Sequence, residues 1–308
     1  MTALGILWFI LIAVLIAGYF ILDGFDLGAG VLSPFVAKDE KEKAVVRRSV
    51  GPVWDGNEVW LLTAGGVSLE YRAHDPKWKD IWDALFFIGS LLPALLFGVA
   101  IGNVYAGIPM DANGDYIGIP LLGLVTPFTL LCGLLGLSIF LTQGATWLAL
   151  KAPKPSAIQA RTAGLRRPLA CVSLVLFIVV TIYALVGIQP TMDPMLEIVR
   201  RVVFVLVAAA FIGVIATSKE GGNDLVPFII SSASALLLIV LFAASMFPNL
   251  VVATAGESIT IATAASSDLA LTWMTIITCI GLPLVLIYHV IIYRTFRGRL
   301  TDEDLQEY

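Results

Sequence analysis

The stretch that decides the fold is residues 4–30, LGILWFILIAVLIAGYFILDGFDLGAG, where an apolar run over 4–22 leads directly into Asp23 and Asp26. A helix needs about 20 apolar residues to cross a bilayer core of about 30 Å. An ionisable side chain at that depth costs roughly 2.5 to 3.5 kcal/mol on insertion scales, so it usually faces a partner, a water-filled cavity or a proton path. The stretch therefore predicts a membrane helix that ends on functional carboxylates.

The composition assigns the rest of the chain to the membrane as well. Of the 308 residues 58% are hydrophobic and 14% charged, and the mean hydropathy is +0.92, whereas soluble domains carry about 25% charged residues. No soluble domain separates the apolar runs, so we expect an all-α polytopic membrane protein in which each span satisfies its own backbone. Further spans are predicted at 81–102, 121–150, 169–188, 202–216, 226–247 and 269–293, with a shorter, more polar one at 51–66.

The distribution of basic residues predicts the topology. Lys and Arg concentrate in the connections 38–48, 72–79, 151–167 and 219–224 and in the tail after 293, whereas 103–120 and 248–268 contain none. Because basic loops stay on the cytoplasmic side, the N-terminus should be outside and the C-terminus cytoplasmic. Arg200 and Arg201, at a predicted outer boundary, are the exception.

One pair of loops does not fit the expected alternation of cytoplasmic and external connections. The basic connections 38–48 and 72–79 are separated by the single run 51–66, yet both should be cytoplasmic. Either that run is re-entrant, or a span is absent between Gly66 and Val67. We favour an absent span, which would make nine helices the full complement.

A second acidic motif, WDGNEVW at 54–60, contains Asp55 and Glu58. With the N-terminus outside, Asp23 and Asp26 lie near the cytoplasmic end of the first span, at the same membrane level as this second pair. The members of each pair are three residues apart, so they project from one helical face.

Gly24 and Gly28 lie on the first of these helices, four residues apart. Such a small-xxx-small pattern lets a neighbouring helix approach closely. A close approach of this kind could bring the two acidic faces together.

Four strings carry a family resemblance: DGFDLGAG at 23–30, WDGNEVWL at 54–61, TQGAT at 142–146 and ASMFP at 244–248. In this order, over nearly the whole chain, the sequence resembles subunit II of the cytochrome bd-type quinol oxidases. The resemblance implies two four-helix bundles plus one peripheral helix, here 1–118 (incomplete), 119–250 and 251–308 with its cytoplasmic tail. In that family another apolar helix follows the stretch matching 63–66, and this chain lacks it.

The resemblance also implies partners and cofactors. The family pairs with a haem-bearing subunit I, which oxidises quinol and reduces dioxygen to water in a bacterial or archaeal cytoplasmic membrane. Haem b and haem d are expected in that subunit, because this chain has only His74 and His289 and cannot build a bis-His site at mid-membrane. The three cysteines show no metal-ligand or disulfide spacing. Quinone, membrane lipids and small single-helix subunits are further expected partners. Binding of nucleic acid is not expected.

The functional hypothesis is that Asp26 and Asp55, with Glu58 and Asp23 as helpers, line a cytoplasmic proton inlet leading toward the oxygen-reducing haem. Structural roles remain open for two of them. Asp55 would cap a helix that begins at Gly51 and Pro52, where proline suits the first turn. Asp26 would pair with Arg47 or Arg48 and so fix the connection 38–48.

Gln143 is a weaker candidate, as a hydrogen-bonding residue for a cofactor edge or a quinone carbonyl. The alternative is that its amide joins two helices, which is common in membranes.

Two other classes of function compete with the oxidase interpretation. Buried acids and glycine-rich helices also build proton- or cation-coupled secondary transporters, although neither paired interrupted helices nor a polar substrate site at mid-depth is evident. A non-catalytic scaffold for the haem subunit is the third hypothesis.

Overall fold

The computed structural model describes residues 2–54, 76–111, 114–188, 196–219, 221–301 and 304. Nearly all of the secondary structure in these ranges is helical, which confirms the predicted all-α class. The helices are α1 (Ala3–Val36), α2 (Glu40–Trp54), α3 (Pro76–Ala106), α4 (Pro127–Lys151), α5 (Ala157–Tyr183), α6 (Glu197–Thr217), α7 (Leu225–Met246), α8 (Ile261–Ala264) and α9 (Asp268–Thr295). A π-helical turn, Ala184–Ile188, extends α5, and a 3₁₀ turn, Leu122–Leu124, precedes α4.

Seven helices in the described ranges are long and apolar enough to cross a membrane: α1, α3, α4, α5 with its π-helical turn, α6, α7 and α9. They correspond to the seven longer runs predicted from the sequence. The shorter predicted run 51–66 and the junction of Gly66 with Val67 lie largely outside the described residues. The absent span, the count of nine and the division into 1–118, 119–250 and 251–308 therefore stay predictions.

Helix α4 is the centre of the fold, because it contacts α1, α3, α5 and α7. It begins with a capping box between Thr126 and Thr129 and has Pro127 in its first turn. The remaining neighbours close the arrangement: α6 packs against α5 and α7, and α1 against α3 and α7. Helix α9 touches mainly α1 and α2.

Both predicted external connections end up at the same end of the helices, joined by short strands. Strand β1 (Ile108–Pro109) pairs in parallel with β3 (Ala253–Ala255), and β2 (Asn249–Val251) pairs antiparallel with β4 (Ile259–Thr260). The sequence did not predict these strands. They satisfy backbone groups of two loops that leave the helical region side by side.

Helix α1 is longer than predicted. The apolar run ends at residue 22, but the helix continues to Val36, with Phe25, Leu27 and Ala29 buried on its added turns. At 1.5 Å per residue its 34 residues span about 51 Å, more than the bilayer core of about 30 Å. The acidic motif therefore lies within a continuous helix and not at its end.

Two connections that we expected to be loops are largely helical. Helix α2 begins at Glu40, after Asp39 accepts a hydrogen bond of 2.8 Å from the backbone N–H of Glu42. The predicted helix start at 51–52 is therefore wrong, because Pro52 lies inside α2. Helix α5 likewise begins at Ala157, with Ser156 as its N-cap. Near its start, Arg161 pairs with Glu42 of α2.

At the α2–α5 end of the molecule the predicted basic connections meet, and we call it the charged end. Arg161 of α5 pairs with Glu42 of α2, and Lys43 of α2 pairs with Asp83 of α3. Leu300 of the tail donates a backbone hydrogen bond to Lys151 at the end of α4. The structure thus gathers these connections on one side, while the membrane face that this side occupies stays a prediction.

At the opposite end of the molecule, Trp8 connects α9 to α1. The indole N–H of Trp8 lies 3.1 Å from the Thr275 hydroxyl and 3.3 Å from the Leu271 carbonyl oxygen. A polar side chain that bridges two helices in this way fixes their relative position.

Candidate functional site

Asp23 and Asp26 are both buried inside the bundle. Their residues are 2% and 4% exposed, although each lies on a helix long enough to span a membrane. They are three residues apart and so share a face of α1. Burial of this kind agrees with the prediction that these carboxylates face the protein interior and not lipid.

Glycines place this part of α1 in direct contact with α4. A Cβ atom on Gly28 would lie 1.8 Å from the Phe140 carbonyl oxygen, and one on Gly144 would lie 2.3 Å from the Gly28 carbonyl carbon. Only hydrogen fits at either position, so the two backbones touch. The predicted close approach at the glycine pattern is confirmed, and the neighbouring helix is α4. The two acids of the second motif lie outside the described residues.

Gln143 belongs to the same contact. Its side chain is fully buried, and its Oε1 atom would lie 2.2 Å from a Cβ atom on Gly24. Neither polar atom of its amide has a hydrogen-bond partner among the residues that the structure describes. The TQGAT string and the DGFDLGAG string, which the sequence presents separately, thus form one site.

The hydroxyl groups flanking Gln143 do join helices. The Thr142 hydroxyl lies 3.3 Å from that of Ser173 on α5, and the Thr146 hydroxyl lies 3.1 Å from that of Ser231 on α7. The two threonines therefore form hydrogen bonds between helices. The Gln143 amide, within the described ranges, faces α1 without such a bond. Its assignment as a cofactor-binding residue stays a prediction.

Aromatic side chains cover the charged-end side of the acid pair. The ring centroid of Phe25 lies 4.4 Å from that of Trp147 and 5.7 Å from that of Phe228. Tyr293 of α9 joins this aromatic cluster, with its centroid 6.1 Å from Trp147. Sequence reasoning missed this residue, because its position in the last apolar run carries no motif.

Asp55 and Glu58, the other two predicted proton-path residues, lie outside the described residues. The alternative pairing of Asp26 with a basic residue of α2 stays a prediction. Arg47 lies 3.7 Å from Asp83 and 4.0 Å from Glu40, which places its guanidinium toward α3 and the start of α2.

A buried ion cluster lies nearby at the charged end. Asp224, immediately before α7, pairs with Arg166 of α5 and with Arg299 of the tail, and Lys154 lies 3.5 Å away. Burial disfavours the ionised carboxyl of Asp224, but the hydrogen bond and charge of Arg166, supported by Arg299 and Lys154, outweigh it and lower its pKa below the ordinary value. The sequence predicted a shared side for these residues and not their pairing.

A cavity of about 650 Å³ opens among α3 to α7, toward the other end of the bundle. Apolar and aromatic side chains make up most of its wall, including Phe177 and Phe204, and Glu197, Arg200 and Arg201 add charge. Arg201 also pairs with Glu197 on the surface of α6. Both arginines that are exceptions to the charge distribution thus line a cavity, and Arg201 also forms a surface ion pair.

Metal-binding clusters are not found in the described ranges, where no three His, Cys, Asp or Glu side chains converge. His289 places its Nδ1 atom 2.8 Å from the Val285 carbonyl oxygen of its own helix. Such a contact orients the imidazole ring against α9.

The fold and the site together define a polytopic helical membrane subunit with a buried pair of carboxylates. The model of one family, cytochrome bd terminal oxidase subunit II, matches residues 4–69 and 65–296. The chain therefore belongs to that family, and the predicted resemblance is confirmed. It is a multi-pass subunit of an oxidoreductase complex that contains haem and a second subunit, and the transporter hypothesis is not favoured.

Relatives from three bacteria match along almost their full length. The chain is 28% identical to cytochrome bd-I ubiquinol oxidase subunit 2 of Escherichia coli strain K12, over 98% of this chain and 97% of the relative. It is 30% identical to a probable cytochrome oxidase subunit 2 of Haemophilus influenzae, over 96% and 95%. With cytochrome bd ubiquinol oxidase subunit 2 of Bacillus subtilis it shares 29%, over the whole of both chains.

The solved structure of the bd oxidase from Geobacillus thermodenitrificans contains a chain with the same fold. The TM-score is 0.68 at 14% identity, covering 96% of this chain and 99% of that one. The E. coli alignment extends over 369 residues although this chain has 308, and the two family-model segments divide at 65–69. Both observations support the prediction of an absent span at that place.

Proposed function

We propose that this chain is the subunit without haem ligands in a complex that oxidises quinol and reduces dioxygen to water, with haem b and haem d in the partner subunit. The relatives from E. coli and B. subtilis are named ubiquinol oxidase subunits, which supports the substrate. The sequence contains only two histidines, His74 and His289, and the predicted lack of a bis-His site at mid-membrane supports the haem assignment.

The chain contributes a proton inlet to that complex. The observation that carries this proposal is the burial of Asp23 and Asp26 at the contact of α1 with α4, near the end where the basic connections meet. Reduction of dioxygen to water consumes protons, and a carboxyl group can take up a proton and pass it on. Asp55 and Glu58 are further members of the inlet.

The experiment is the substitution Asp26→Asn in the purified two-subunit complex, with Asp268→Asn as the control. Asp268 lies in the first turn of α9, and its residue is exposed. Quinol-driven oxygen consumption should fall on the order of 10²-fold in Asp26→Asn, while the control variant keeps its rate. The reduced-minus-oxidised spectrum should show unchanged haem content in both.

Asp55→Asn should behave as Asp26→Asn does. If oxygen consumption in both variants equals that of the wild type, the chain is a scaffold and the inlet is rejected.

The inlet opens to the cytoplasm, with the N-terminus outside and the C-terminus inside. The gathering of basic connections at the charged end supports this orientation. In Asp115→Cys, which changes an exposed residue of a loop at the opposite end, the thiol should react with a membrane-impermeant maleimide in whole cells. In Thr301→Cys it should react only after lysis. The reverse pattern would invert the topology.

A quinone or a lipid tail occupies the cavity among α3 to α7. Its volume of about 650 Å³ and its largely apolar wall favour a hydrocarbon ligand. Mass spectrometry of lipids and quinones extracted from the purified complex tests this proposal, and Val180→Trp, at the cavity wall, is the variant that should reduce the ligand recovered. Small single-helix subunits, which would dock on exposed helices, stay a prediction.

A further inference from the structure

The cavity among α3 to α7 has a charged part and an apolar part. One face of α6 lines it, at residue spacings of three and four, through Glu197, Arg200, Arg201, Phe204 and Val205. The three charged residues are among the first five of the helix, and the two apolar residues follow one turn deeper. At 1.5 Å per residue, the wall changes from charged to apolar over about 6 Å of helix axis.

The apolar part continues toward the middle of the bundle. Phe20 of α1, Leu135 of α4 and Ile239 of α7 line it, and all three are buried. The rings of Phe177 and Phe204 stack with their centroids 5.0 Å apart. This part of the cavity suits a hydrocarbon chain and offers nothing to a polar head group.

The hydroxyl groups of the wall bond to their own helices. Thr181 donates a hydrogen bond of 2.7 Å to the Phe177 carbonyl oxygen, and Ser245 donates one of 2.8 Å to that of Leu241. Recognition of a polar head group therefore falls to the charged side chains of α6.

These charged side chains are net positive. Among the described residues that line the cavity, Arg200 and Arg201 each carry a positive charge, and Glu197, the partner of Arg201, carries a negative one. Positive charge beside a low-dielectric space favours a ligand of opposite charge. A guanidinium group matches the geometry of a phosphate and binds it through two parallel hydrogen bonds.

We propose that the cavity binds an anionic phospholipid, with its phosphate at Arg200 and Arg201 and one acyl chain running past Phe204 toward Phe20. The inference deepens the proposed occupancy by a hydrocarbon ligand and rests on it. A quinone head is uncharged and offers only carbonyl acceptors, so the net positive wall favours the phospholipid. The site also gives a function to two arginines that lie at the end of the bundle where basic residues are otherwise scarce.

The test compares the lipid retained by Arg200→Gln with that retained by Arg297→Gln. Each purified complex is placed in phosphatidylcholine bilayers that contain a minor fraction of phosphatidylglycerol, extracted again and analysed by mass spectrometry. Retained phosphatidylglycerol should fall on the order of tenfold in Arg200→Gln, because a charge-assisted hydrogen bond is lost. It should keep the wild-type amount in Arg297→Gln, whose arginine is exposed after α9, at the charged end.

Two further variants separate head group from tail. Arg200→Lys keeps the charge but not the paired hydrogen bonds, so it should retain more phosphatidylglycerol than Arg200→Gln and less than the wild type. Val180→Trp, which fills the apolar part, should reduce every lipid retained there. An unchanged haem spectrum in each variant shows that the complex is assembled.

A measurement on the wild type needs no variant. Phosphatidylglycerol added to the delipidated complex should raise its unfolding temperature, because a ligand that binds only the folded state stabilises it. Phosphatidylcholine and inorganic phosphate should have no such effect. If inorganic phosphate stabilises the complex equally, the ligand is a free anion and the phospholipid is rejected.

The remaining outcomes distinguish this inference from the proposed occupancy. If the recovered ligand is a quinone that falls in Val180→Trp but not in Arg200→Gln, the hydrocarbon ligand stands and the anionic phospholipid is rejected. If nothing that is recovered depends on Val180→Trp, the occupancy itself is rejected.

Discussion

Two spans of this protein, α4 and α9, have opposite environments. In the most apolar stretch of α4, 67% of the residues are buried, whereas in that of α9 none is. The buried helix is the more polar one: Ser138, Thr142, Gln143 and Thr146 all lie inside the bundle. The exposed helix presents large apolar side chains such as Leu269 and Ile277 outward.

The difference shows how packing works when the solvent is lipid. Burying an apolar side chain gains little there, because lipid tails are as apolar as leucine. Small residues that let backbones touch and hydroxyl groups that bond between helices decide which helix is central. In this chain both features coincide in α4, and the acid pair lies where α1 contacts it.

The largest loss of stability is expected at the ion cluster of Asp224, which connects the segment after α9 to α4. Arg299 donates hydrogen bonds of 2.9 Å to the carbonyl oxygens of Ala149 and Ala152 and also pairs with Asp224. Asp224→Asn leaves the buried Arg166 without its counter-charge and should cost about 3–5 kcal/mol of unfolding free energy. Thermal unfolding of the complex measures this loss.

The control for that substitution is Glu197→Gln, which removes the exposed pair with Arg201. It should cost about 0–1 kcal/mol. Equal losses in the two variants would show that burial of the ion cluster does not matter.

Acid should reproduce part of the Asp224 effect. The pKa of Asp224 is lowered in the folded protein, so the stability it contributes is present above its unfolded value of 3.8 and is lost as the pH falls through the folded value. Unfolding temperature should therefore drop below about pH 4, and less steeply in Asp224→Asn. If the unfolding temperature fell equally with pH in wild type and in Asp224→Asn, Asp224 would not be the group responsible.

The next effect concerns the contact of α1 with α4. Gly28→Ala places a methyl group 1.8 Å from the Phe140 carbonyl oxygen, and overpacking of this kind should cost about 1–3 kcal/mol. Gly281→Ala on α9, where nothing lies within 4 Å of the added Cβ, should instead stabilise the helix by up to about 1 kcal/mol. The unfolding temperature should therefore fall in Gly28→Ala and rise in Gly281→Ala. A change of the same sign in both variants would contradict the comparison of α4 with α9.

The smallest effect is a single hydrogen bond between helices. Thr146→Val removes the 3.1 Å contact with Ser231 and should cost about 0.6 kcal/mol. Thr272→Val on α9 removes only a bond to its own helix, to the Asp268 carbonyl oxygen, and should have a smaller effect. A larger loss in Thr272→Val would mean that bonds between helices are not what holds α4 in place.

Much of the fold could be predicted, because hydropathy reports spans directly. All seven described spans were located, and the close approach at Gly24 and Gly28 followed from their spacing. The family resemblance supplied the class. For the site, the burial of Asp23 and Asp26 agrees with the cost of charge in lipid.

The rest depends on contacts between distant parts of the chain. Helix α1 continues past its apolar run because its added turns, including Phe25 and Leu27, are covered by protein and not lipid, which composition does not report. The partner of Gly28 and the approach of Tyr293 to Phe25 and Trp147 are properties of helix arrangement. The ion cluster of Asp224 likewise joins residues far apart in sequence.

Trp8 and Tyr293 lie near opposite ends of the paired helices α1 and α9. Two contacts far apart along a helix prevent it from sliding and from pivoting, whereas a single contact still allows it to pivot. Helix α9 can thus remain in register with α1 although the other helices of this chain leave most of its surface uncovered. Cutting either attachment alone should leave the helix in place but free to rotate about the other.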